Sequence, residues 1–144
     1  MTSNEETERM YAAEYAELEQ AVKEGDNASK TLVAWYKLSG NGGVEYDAKG
    51  AVKLLEERVK DGDDRAMWML AICYEYGMGC EQDLERAKEL ASESAKAGNE
   101  VGDILEFQCD GKEKKIIRRS SLSKQLIVKY LFLNYHEQKE NMIT

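Results

Sequence analysis

The chain has no proline, a single histidine (His136) and only three cysteines among its 144 residues. Each shortage excludes a class of protein. A chain without proline, with 8% aromatics and an abundance of Ala, Glu, Lys and Leu, lacks the turn-rich connections of sheet proteins and suits stacked helices. Cys73, Cys80 and Cys109 are an odd number, form no C-x-x-C pair and have one histidine among them as a partner, which is neither a zinc site nor a disulfide framework. His136 stands without a nucleophile or ligand pattern around it, so no catalytic, cofactor-binding or metal-ligating residues are assigned and the chain reads as a non-enzyme. No segment reaches the roughly 18 consecutive apolar residues that span a membrane, and Met1–Glu6 lacks the basic start and apolar stretch of a signal peptide. The expectation is a cytoplasmic chain in a reducing compartment, with no membrane span.

Charge is unevenly placed. Residues 1–110 hold 12 Lys+Arg and 25 Asp+Glu, a net of −13, whereas residues 111–144 hold 8 and 3, a net of +5. An acidic body repels phosphate backbones, so no nucleic-acid partner is expected there.

What the chain does have is internal repetition, the feature to seek before individual elements. Glu19-Gln20-Ala21-Val22-Lys23-Glu24-Gly25-Asp26 is matched by Glu56-Glu57-Arg58-Val59-Lys60-Asp61-Gly62-Asp63, 37 residues later. A looser copy, Ser92-Glu93-Ser94-Ala95-Lys96-Ala97-Gly98-Asn99, follows after a further 36. Each reads as a helix end closed by glycine, the residue that adopts a left-handed conformation without a Cβ penalty. Val33-Ala34 falls on Leu70-Ala71 at a spacing of 37, but Asp47 falls on Asp83 and Ala51 on Ala87 at 36, so the extra residue lies in the turn between, Gly40–Val44 against Gly77–Cys80. Loops absorb insertions with least harm.

After each glycine turn, Asp47 or Asp83 marks a helix start. Ala51, Leu54, Leu55 and Val59, against Ala87, Leu90, Ala91 and Ala95, give each helix one apolar stripe. Thr31–Leu38 and Ala66–Tyr76 are the partner helices before the turns. The reading is an all-α protein, an α/α superhelix of stacked helix-turn-helix units. A repeat stack spans 1–110, with a half-repeat at 5–25, repeats at 26–62 and 63–98 and a partial third repeat from 99. A basic capping helix or tail spans 111–144. Tyr11, Tyr15, Leu18 and Val22 form the stripe of the half-repeat, and Ile116, Leu122, Leu126, Ile127, Tyr130 and Leu133 that of the tail. Exposed repeat ends leave self-association open.

The run Ala66 to Ala87, with Leu70, Tyr74, Gly77-Met78-Gly79, Asp83, Arg86-Ala87 and the closing Gly98, resembles a Sel1-like repeat, a relative of tetratricopeptide repeats. Ala71 stands where the family has glycine, and Lys37 replaces the family tyrosine in the first copy. The resemblance implies an interaction scaffold or adaptor that binds a partner protein or peptide through a groove lined by first-helix residues, with no cofactor. Those residues are Arg65, Trp68, Ile72, Glu75 and Tyr76 in one copy and Thr31, Trp35 and Leu38 in the other. Trp and Arg are common interface anchors, but buried Trp packing between units fits Trp35 and Trp68 as well.

The tail offers a second class of function. Arg118-Arg119-Ser120-Ser121-Leu122 resembles a basic-directed phosphorylation site with Ser121 as acceptor. The basic amphipathic stretch beyond it suits an acidic partner, calmodulin, a membrane surface or the chain's own groove, which it would then autoinhibit. A capping helix with a solvated basic face is the alternative.

Overall fold

The computed structural model describes residues 3–99. The partial third repeat, the segment 111–144 with Ser121, Cys109 and His136 lie outside the described residues. Among the described residues there are five α-helices and no strand: α1 (Ser3–Lys23), α2 (Ser29–Ser39), α3 (Ala48–Lys60), α4 (Asp64–Tyr76) and α5 (Leu84–Lys96). Each helix packs on its sequence neighbour, and α2 also touches α4, which makes two helical hairpins, α2–α3 and α4–α5, stacked as a solenoid with α1 on one side.

Local chemistry sets the helix ends. Asp47 accepts a hydrogen bond from the Gly50 amide (2.9 Å) and Asp83 from that of Arg86 (3.1 Å), so each caps the second helix of its hairpin. The three closing glycines share one geometry. Gly25, Gly62 and Gly98 have φ of +99°, +83° and +87°, and the residue after each donates back to a carbonyl five positions earlier: Asp26 to Ala21, Asp63 to Arg58 and Asn99 to Ser94. That is the double-bonded helix stop that a residue with a Cβ adopts only at a cost of about 1–2 kcal/mol.

Between the hairpin helices, the Asp47 amide bonds the Lys37 carbonyl and the Asp83 amide that of Tyr74. The first of these loops is one residue longer, and it winds Asn41–Gly43 into a single 3-10 turn. Of the expected stripes, Ala51, Leu55, Ala87, Leu90 and Ala91 are buried, while Leu54, Val59 and Ala95 are half-buried. Leu55, Leu70 and Leu90 are fully enclosed, each contributing roughly 1.5–3 kcal/mol. In α1 nothing is fully buried, and Tyr11, Tyr15, Leu18 and Val22 are half-covered.

Candidate functional site

The first helices α2 and α4 carry the residues that the family resemblance implies for a groove. Trp35 and Trp68 come together from the two units, their ring centroids 6.1 Å apart and the planes tilted by 52°. Such a pair contributes about 0.5–1.5 kcal/mol beyond its burial. Both rings are enclosed, at 1% and 0% exposure. Ile72, Glu75 and Tyr76, at 3%, 6% and 9%, are buried too, and so are Thr31 and Leu38. Arg65 is the surface member, with 34% of its side chain exposed. All eight candidates lie on α2 and α4, and the arginine is the accessible one among them.

A polar network underlies one end of this face. The Asp63 carboxylate accepts the Thr31 hydroxyl (2.7 Å) and the Arg65 amide (3.0 Å), and it lies 3.4 Å from an Arg58 guanidinium nitrogen and 3.6 Å from Arg65 Nε. Burial opposes its ionisation. The Thr31 hydroxyl, the Arg65 side chain and amide, and Arg58 together outweigh that and hold the carboxyl below its ordinary range. The network orients Arg65 and ties α2, α3 and α4 at one point. Residue pattern alone gives no hint of it beyond the recurrence of Asp or Asn after each closing glycine.

At the other side of α2, Tyr36 donates to Glu14 (2.7 Å) and packs against the rings of Tyr11 (6.2 Å) and Tyr15 (5.6 Å), which fastens α1 to the first hairpin. Beside it an open cleft of about 440 Å³ is lined by Tyr15, Glu19, Lys37 and Asp47, with Lys37 and Asp47 paired at 3.5 Å.

Cys73 is deeply buried and desolvation pushes its thiol well up; burial, with Glu56 and Asp83 adding to it, raises that of Cys80, so both stay protonated and weakly nucleophilic at neutral pH. Residues 3–99 carry 12 Lys+Arg and 21 Asp+Glu, a net charge of −9.

Comparison with known proteins agrees with the geometry. Residues 29–57 and 64–99 match the model of the Sel1 repeat, each match covering one hairpin. A crystal structure of a Sel1 repeat protein from Oxalobacter formigenes superposes with a TM-score of 0.62 at 27% identity, over 82% of this chain and 47% of that one. The chain thus spans about half the length of that relative. No curated protein matches. Repeats of this type serve generally as protein-interaction scaffolds and not as catalysts. The hairpins at residues 29–57 and 64–99 belong to the Sel1-like repeat family.

Proposed function

We propose that the chain is an adaptor that binds an extended segment of a partner protein along the α2–α4 face and carries out no catalysis. The observation that supports this reading best is Arg65, which stands part-exposed on α4 with its amide and side chain held by Asp63, while the two units are joined beneath by the Trp35–Trp68 pair. Aromatic and arginine side chains supply most of the energy of small interfaces. The acidic surface argues against a nucleic-acid partner, and the free thiols of Cys73 and Cys80 suit a reducing, cytoplasmic setting.

The test is selection of peptides from a displayed library on the full chain, followed by calorimetry on variants. Arg65→Ala weakens binding about tenfold or more, a loss of about 1.4 kcal/mol or greater, whereas Arg86→Ala on α5 leaves it unchanged. Equal affinity for wild type and Arg65→Ala contradicts the reading.

A further inference from the structure

Lys37 and Tyr74 hold the same place in their hairpins. The carbonyl of each accepts the amide of the capping aspartate, Asp47 in the first hairpin and Asp83 in the second. Each also stands 18 residues after a glutamate of the preceding helix, Glu19 on α1 and Glu56 on α3. The seating of the turns gives the same register, since Gly42 lies against the Tyr11–Ala12 peptide and Gly79 against the Ala48–Lys49 peptide, 37 residues on.

The side chains at these equivalent places do different things. Tyr74 packs against the core and donates its hydroxyl to Glu56, with Cys80 of the turn close by. Lys37 instead pairs with Asp47 at 3.5 Å. The cleft of about 440 Å³ lies at the first unit's counterpart of the Tyr74 site: Glu19 corresponds to Glu56, Lys37 to Tyr74, Val44 to Cys80 and Asp47 to Asp83, and all four line it.

We propose that this cleft receives an unphosphorylated tyrosine side chain from a partner segment, its hydroxyl donating to Glu19 as that of Tyr74 donates to Glu56. The volume falls in the range of small-ligand sites, roughly 300–1,000 Å³. Tyr15 offers the incoming ring an aromatic wall, and Gly42 and Gly43 add no side chain to theirs. Glu19 already accepts the Tyr15 hydroxyl, but an ionised carboxylate has about four lone-pair sites and takes a second donor. Glu19, Glu45 and Asp47 against Lys37 make the lining net negative, which opposes a phosphate on that tyrosine. The cleft's own phenol feels the same field: burial, the bond to Glu19 and the charges of Glu19 and Asp47 all push the Tyr15 pKa up. A cation would answer the charge alone, whereas Tyr74 shows that a phenol suits the equivalent place. The lining shares no residue with the candidates of the α2–α4 face, so this contact goes beyond the binding proposed above.

The test is titration of N-acetyl-tyrosinamide into the ¹⁵N-labelled full chain. The amides of Gly42, Gly43 and Val44 move, N-acetyl-phenylalaninamide binds about fivefold more weakly for want of the hydroxyl, and the O-phosphorylated probe moves none of them. Lys37→Tyr, which sets the chain's own phenol in the cleft, abolishes the movement, and Glu19→Gln weakens binding about fivefold. Circular dichroism checks that both variants stay helical; if Lys37→Tyr does not, Glu19→Gln and the phenylalanine comparison decide. Turn amides that stay fixed, movement that survives Lys37→Tyr in a folded chain, or tighter binding of N-acetyl-argininamide than of the tyrosine probe overturns the proposal. The Trp35 and Trp68 indole signals stay in place throughout, so this inference and the α2–α4 reading stand or fall separately.

Discussion

Gly79, in the turn of the second hairpin, lies directly against Ala48, the first residue of α3 in the hairpin before it. A Cβ on Gly79 would run into the Ala48 carbonyl and the Lys49 amide. Gly42 stands in the same relation to α1, where an added Cβ would come within 2.6 Å of the Ala12 nitrogen. Ala12 and Ala48 are 36 residues apart and Gly42 and Gly79 are 37 apart, so the turn of each hairpin seats on the start of the preceding second helix or on α1. The second glycine of the family turn is thus a contact between units.

That contact predicts an ordered cost. Gly43→Ala has open space at φ +72° and bears only the left-handed penalty, about 1–2 kcal/mol. Gly79→Ala has φ +71° and must in addition push apart a pair of backbones that cannot rotate away, for a total of about 3 kcal/mol or more. Urea denaturation of the two variants gives the difference directly. Equal losses would contradict a turn-to-helix contact at Gly79.

Asp63 predicts an acid limb. Its folded pKa lies below the unfolded value of about 3.9, so its contribution is complete above that value and is lost as pH falls through the folded one. Asp63→Asn keeps the size and an acceptor but removes the charge that Arg58 and Arg65 face. The variant is less stable by about 2 kcal/mol at pH 7, and the gap to wild type narrows below about pH 4. Urea midpoints between pH 7 and pH 3 check this; a gap independent of pH contradicts it.

Tyr74 predicts the opposite limb. Its hydroxyl bonds Glu56, which together with burial pushes its pKa up to about 12. The neutral phenol is the form the fold favours, so this stabilisation is complete below pH 10 and fades as pH rises from 10 to about 12. Tyr11, Tyr15, Tyr36 and Tyr46 are raised as well, with burial the largest cause in each. Absorbance at the tyrosinate band in the native chain therefore lags that of the denatured chain over this range. Glu56→Gln, which removes the charge facing Tyr74, shifts one tyrosine back toward 10; no shift would mean that Glu56 does not hold it.

The features of the fold that the residue pattern foretells are those decided within one turn of chain. The closing glycines, the Asp47 and Asp83 caps, the apolar stripes and the extra residue before Val44 depend on neighbours in sequence. The 36–37 residue period then gives the stacking, since a helical hairpin cannot cover both its faces. What the pattern leaves open depends on residues far apart. Trp35 and Trp68 fit both an anchor and a packing role, and only their approach across two units shows that they enclose one another. Glu75 reads as a groove carboxylate, yet it lies buried. Asp63 gathers Thr31 and Arg58 from other helices, and Tyr36 finds Glu14 on α1, pairings with no periodic signature.

For binding on the proposed α2–α4 face the chain supplies two reporters, since Trp35 and Trp68 are its only indoles. The decisive measurement is the two-dimensional NMR spectrum of the ¹⁵N-labelled full chain titrated with a selected peptide. Movement of both indole N–H signals together with the Arg65 amide, while amides of α1 and of the outer side of α5 stay in place, is the predicted result. Indole signals that stay fixed while α1 or α5 amides move would show that binding uses another surface.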